Sequence, residues 1–176
     1  MNAEQLRSLQ TPIKERYRAE PTTAVVTLCA EGRLDDPDAL SCSVNTGRAL
    51  VKAGLHPATG GDGTVACSGD MLLQALVACA GVTLRAVATA TDIPIHGGTI
   101  RAEGNLDFRG TLGVDREAPV GFKNIHLRFD LDSDATTEQL ATLQKLTERY
   151  CVVYQTLAKG VVPAIDFNTS GVSQRG

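Results

Sequence analysis

Tryptophan is absent from the 176 residues, and the chain holds only four phenylalanines and three tyrosines. So few rings, with no basic stripe to accompany them, exclude a surface that binds nucleic acid by stacking and backbone charge. Charge is equally unconcentrated: 17 basic against 20 acidic residues give a net −3, interspersed along the chain. No acidic tail or basic arm is present. The three histidines, His56, His96 and His126, are isolated. None sits at ligand spacing from a cysteine, so a zinc site is a poor fit and no metal or cofactor is expected. The glycine loop Gly60-Gly61-Asp62-Gly63 precedes a helix start but lacks the Gly-Lys-Ser/Thr ending of a phosphate cradle. Asp62 and Asp70 would repel a phosphate, so the glycines are read as serving a close approach of backbone. No apolar stretch approaches the ~20 charge-free residues of a membrane span, and the N-terminus lacks a signal-peptide layout. The expectation is a cytoplasmic protein with no membrane partner.

What remains is a chain that is 43% hydrophobic, read as one domain over residues 1–176 with residues 1–20 as an N-terminal helical extension. A chain of this length can bury about two-thirds of its unfolded surface. Residues 3–16 predict a short polar helix packed loosely on the surface. The β-branched, alternating run 23–30 predicts a strand, followed by a turn over 31–38 rich in Gly, Pro and Asp. Residues 40–46 predict a second strand and 48–53 a third. Ser68 is the expected cap of a long apolar helix reaching about Ala90. Strands follow at 99–108 and 125–132. The second alternates strictly, apolar at odd positions, as on a sheet with one wet face. Thr136 or Asp134 caps a second helix that runs to Gly160, and residues 161–167 predict a last strand. Strands, helix, strands, helix and strand without a βαβ repeat define an α+β fold with antiparallel sheets. The first helix is apolar nearly all round from Met71 to Val82 and must be buried on most faces. One small domain can hardly surround it, whereas a homodimer sandwiching two such helices between two sheets would.

Each long helical pattern carries one cysteine, Cys79 in the first and Cys151 in the second. Helices that pack with these faces together bring two thiols into contact, the minimum for reducing a peroxide and closing a disulfide. The competing reading is two small buried hydrophobes, since free cysteine is among the most buried residue types. Five cysteines (29, 42, 67, 79 and 151) at irregular spacing do not make a disulfide framework. Cys79 lies mid-helix and gains nothing from the positive end of its own helix, so reactivity demands a cation from elsewhere. Arg33 and Arg48 are the candidates, because Arg85 points away from Cys79 around the helix.

The stretch Gly60-Gly61-Asp62-Gly63, then Ser68-Gly69-Asp70-Met71-Leu72-Leu73 through Ala78-Cys79, then Cys151-Val152-Val153-Tyr154-Gln155-Thr156-Leu157, resembles the OsmC/Ohr family. The likeness covers roughly residues 23 to 168. It implies intertwined homodimers with active sites at the interface, reducing organic hydroperoxides or hydrogen peroxide at the expense of an external thiol. Carried onto this chain, the resemblance makes Cys79 the peroxidatic cysteine and Cys151 the resolving one. It makes Arg33 the cation on the thiolate and Asp70 the acid that orients it. Asp70 stands where the family has Glu, and Val152 where it usually has Pro. Those departures keep a second expectation open, a non-catalytic dimer of the same fold that binds a small apolar ligand or serves a structural role.

Overall fold

The computed structural model describes residues 3–33, 43–44 and 53–167, with side chains for 8–27 and 53–167. Helix α1 (Ala3–Ala19) is longer and better anchored than its polar sequence predicts. Tyr17 is fully buried, and its hydroxyl donates to the Ala58 carbonyl at 2.8 Å. Gln10 Nε2 donates to the Thr59 carbonyl nearby. One aromatic side chain therefore overrides the polar average of its helix. A short 3-10 turn (Pro21–Ala24) then feeds β1 (Val25–Arg33), so the first strand begins later and ends later than its composition indicates.

Strand β2 is Ser43–Val44; the rest of the predicted second strand, and residues 48–52 of the third, lie outside the described residues. Two short segments, β3 (Ala53–Gly54) and β4 (Ala66–Cys67), form a small parallel ladder of their own. Between them the chain turns back so tightly that a Cβ on Gly61 would collide with the Leu55 carbonyl. That close approach is the use of the glycine loop.

Helix α2 (Ser68–Ala90) starts one residue after Cys67, which occupies the cap position in place of the expected Ser68. Strand β5 (Gly97–Asp107) follows, then the single turn α3 (Phe108–Thr111) and strand β6 (Phe122–Asp132). The main sheet has the order β2-β1-β5-β6, and each neighbouring pair is antiparallel. Ile100 and Ala102 of β5 are fully buried beneath α2. On β6 the odd residues Ile125, Leu127, Phe129 and Leu131 are half-buried and the even ones exposed, as period-two alternation requires.

Helix α2 buries Leu73, Leu76, Val77, Ala80, Leu84 and Ala88 at three- and four-residue spacing. Its opposite side leaves Met71, Leu72 and Val82 exposed. This helix is long and apolar enough to cross a membrane by length and composition only. Asp70 and Arg85 leave it short of ~20 charge-free residues, and half of its apolar window is buried inside the fold, as in a core helix. Arg85 is buried with its Nη1 donating to the Ile95 carbonyl at 2.6 Å.

Helix α4 (Thr137–Tyr150) opens on a full capping box, Thr136 Oγ1 accepting from Gln139 N–H while Gln139 Oε1 accepts from Thr136 N–H. The helix does not run to Gly160. It stops at Tyr150, and a separate helix α5 (Val152–Lys159) resumes after Cys151, ending at Gly160 in the left-handed conformation that favours glycine. Residues 161–167 do not form the predicted strand. They are extended without ladder partners among the described residues and largely exposed, Phe167 at 93%. Pro163 lies in the middle of this run and has no N–H to give a ladder.

Candidate active site

The break between α4 and α5 is built around Cys151. Its backbone is extended (φ −70°, ψ 109°), so it caps the C-terminus of α4 and the N-terminus of α5 at once. Its N–H donates to the Thr147 carbonyl, and its carbonyl accepts from Gln155 N–H, each at 2.9 Å. Its thiol accepts from Tyr154 N–H at 3.5 Å. The side chain is 1% exposed. A cysteine thus takes the capping role usual for Ser, Thr, Asp or Asn, which leaves the first N–H groups of α5 free to point at something else.

They point at Cys79. Burial pushes the Cys79 thiol up, but the polar groups that face its sulfur, the Val153 N–H, the Cys151 thiol, the Val152 N–H and the Thr83 hydroxyl, together hold it below the usual thiol range. The Cys151 thiol is pushed the other way. Burial is the main cause, and the hydrogen bond and like charge of Cys79 add to it, against the lowering from Tyr154 N–H. The outcome is a polarised pair, Cys79 the more acidic thiol and Cys151 the less acidic one. The reading that Cys79 lacks help from a helix terminus holds for its own helix only. The help comes from α5, whose N-terminus meets the middle of α2.

Of the four predicted site residues, the structure brings Cys79 and Cys151 together. Asp70 lies in the first turn of α2, where burial raises its pKa and the charge of nearby His56 lowers it. Its neighbour on the described side is therefore an imidazole. Arg33 closes β1, in register with Thr99 of β5 and Ser43 of β2; its side chain lies outside the described residues, and so does all of Arg48. The residues missed from sequence are Val152, Val153 and Thr83. Two of them act through backbone N–H groups, which no side-chain motif announces. Among the described residues no cluster of His, Cys, Asp or Glu could hold a metal ion.

A cavity of about 420 Å³ opens beside Cys151, between β6, α2 and α4, and Cys79 is not among its lining residues. Cys151 and Ala80 form its inner wall, and Leu84, Leu127, Phe129 and Leu143 supply most of the rest.

This arrangement defines a class, an α+β protein with a two-cysteine site at a helix junction. Residues 61–166, more than half of the chain, match the model of the OsmC-like protein family. The chain belongs to that family. The fold is also similar to the crystal structure of an OsmC-like hydroperoxide resistance protein from Jannaschia sp. CCS1, with a TM-score of 0.58 and 15% identity, covering 85% of this chain and 97% of that one. At that identity the likeness is one of fold. No curated protein matches the chain.

Proposed function

We propose that the protein is a thiol-dependent peroxidase that reduces organic hydroperoxides. The observation that carries this reading is the polarised contact between Cys79 and Cys151 at the start of α5. A nucleophile needs a stabilised thiolate, and a resolving thiol needs to stay protonated and near until it is called on. The Cys79 thiolate attacks the terminal oxygen of R–O–O–H. The O–O bond breaks, the alkoxide leaves and takes up a proton as R–OH, and Cys79 becomes a sulfenic acid. The Cys151 sulfur then attacks that sulfenic sulfur, and water departs as the disulfide forms. Two equivalents of an external thiol reduce the disulfide by exchange, so the sum is hydroperoxide plus two thiols giving alcohol, water and an external disulfide. The chemistry belongs to a reducing compartment such as the cytoplasm.

In the same proposal Arg33 approaches the thiolate and Asp70 orients that arginine, adding a cation to the polar groups that face the sulfur. The protein acts as an intertwined homodimer. The exposed side of α2 supports this: Leu72, Ala75, Cys79, Val82 and Ala86 recur at alternating three- and four-residue steps, the spacing of a helix–helix seam. A Cys79→Ser variant is expected to lose consumption of cumene hydroperoxide. Turnover at the wild-type rate in that variant would contradict the reading.

A further inference from the structure

The cavity beside Cys151 contains one feature that the packing of the fold does not use. Thr147 lines it, one helical turn before Cys151, and is 4% exposed. Its Oγ1 has no hydrogen-bond partner, although helical threonines readily bond the carbonyl four residues back. A buried hydroxyl left unpaired is costly, and native structures seldom carry one without a use. The walls around it are aliphatic and aromatic, and the volume lies within the ~300–1,000 Å³ of small-molecule sites.

A second wall residue sets the charge of what can enter. Glu148 lines the same cavity, half-buried, with Oε1 accepting from Gln144 Nε2 at 2.8 Å. Among the lining residues no Lys, Arg or His faces it. A ligand bearing its own carboxylate would meet a like charge in a partly dry space.

We propose that this cavity binds the body of an uncharged, apolar hydroperoxide, with Thr147 as the positioning residue whose hydroxyl donates to the oxygen attached to the substrate's carbon. The choice of a hydroperoxide as occupant rests on the peroxidase reading. The apolar body packs on Leu84, Phe129 and Leu143, while the Thr147 hydroxyl fixes the C–O end next to the Cys151 thiol. Cys79 is not a lining residue, so the terminal oxygen meets it past Cys151, the wall residue beside which it lies.

The corresponding alcohol keeps the C–O oxygen and cannot oxidise a thiol, so binding is measured apart from catalysis. Reduced wild-type protein, Thr147→Val and Thr147→Ser are titrated calorimetrically with 2-phenylpropan-2-ol, and each is melted without ligand. Wild type and Thr147→Ser are expected to bind alike and Thr147→Val about ten-fold more weakly. Without ligand, Thr147→Val should melt no lower than wild type, because it removes an unpaired buried hydroxyl; a merely structural threonine would give the opposite sign. The 4-carboxylate of the same alcohol should bind more weakly than the neutral form, with Glu148→Gln restoring part of the loss. Equal binding by wild type and Thr147→Val, or no binding by wild type, overturns the anchor. Equal binding of the carboxylate and the neutral alcohol overturns the charge selection. A protein that binds the alcohol through Thr147 yet consumes no hydroperoxide would leave this inference standing and contradict the peroxidase reading instead.

Discussion

The Cys151 thiol lies against the Cys79 sulfur, and the contact pushes the two residues in opposite directions, Cys79 down and Cys151 up. Cys151 also caps the helix whose first two N–H groups face Cys79. A single residue thereby breaks the chain between α4 and α5, aims a helix terminus at the nucleophile, and supplies the second sulfur.

The opposed shifts fix the order of reaction with pH. Alkylation by iodoacetamide, mapped by mass spectrometry, should label Cys79 at lower pH and faster than Cys151. The depressed Cys79 pKa contributes stability that is present above the unfolded thiol value and lost as pH falls through the folded one. Cys151, raised mainly by burial, carries the opposite sign. Equal labelling of both thiols across the pH range would contradict the polarised pair.

Val152 supplies a donor that a proline at the same place could not. Proline is tolerated in the first turn of a helix, where its missing N–H is normally no loss. Here that N–H faces the Cys79 sulfur and helps to hold its pKa down. Val152→Pro should therefore keep the fold, by circular dichroism, and slow Cys79 alkylation at neutral pH several-fold. Thr83→Val removes a different donor and should act in the same direction.

Asp70 tests whether the start of α2 is held by an ion pair. Its folded pKa is raised, first by burial, so its charged form costs stability that is regained below the unfolded carboxyl pKa. Asp70→Asn should melt at or above the wild-type temperature at pH 7, and the difference should vanish near pH 3. A clear loss of stability at pH 7 would mean that Asp70 holds a cation tightly. The proposed role in orienting Arg33 predicts a slower peroxidase rate in the same variant.

The anchoring of α1 depends on Tyr17. Tyr17→Phe leaves the Ala58 carbonyl without its 2.8 Å partner and should cost about 1 kcal/mol. Tyr17→Ala, which empties a fully buried site, should cost about 3–5 kcal/mol in denaturant melts.

If the exposed side of α2 is a dimer seam, a charge at Val82, 42% exposed, disrupts it. Light scattering of Val82→Glu should give the 18.6 kDa monomer where the parent gives a dimer. An unchanged mass in the variant would place the interface elsewhere.

The sequence made the two long helices and the alternating strands legible because their apolar spacing is regular. It offered Thr136 or Asp134 as the cap of the second helix, and the structure takes Thr136, whose capping box with Gln139 three residues on is a local signal. It missed the break at Cys151 for an equally local reason. Tyr150-Cys151-Val152 contains no Gly, Pro or Asn, and with Val in place of the usual Pro nothing in the residue types interrupts the helical pattern. The activating N–H groups were invisible as a consequence, because they exist only once the chain breaks and α5 swings its terminus onto α2. Residues 161–167 misled in the other direction: their β-branched residues favour a strand, but Pro163 in their middle cannot donate to a ladder, and the run stays unpaired among the described residues even though the outer edge of β6 is free. Tyr17 was hidden in a polar average.

The most direct test of the account is to treat the reduced protein with one equivalent of cumene hydroperoxide and map its thiols by mass spectrometry. The account predicts a single Cys79–Cys151 disulfide formed as the hydroperoxide is consumed, with no such bond in Cys79→Ser. Recovery of both thiols unmodified, or of oxidised Cys79 beside a free Cys151, would contradict it.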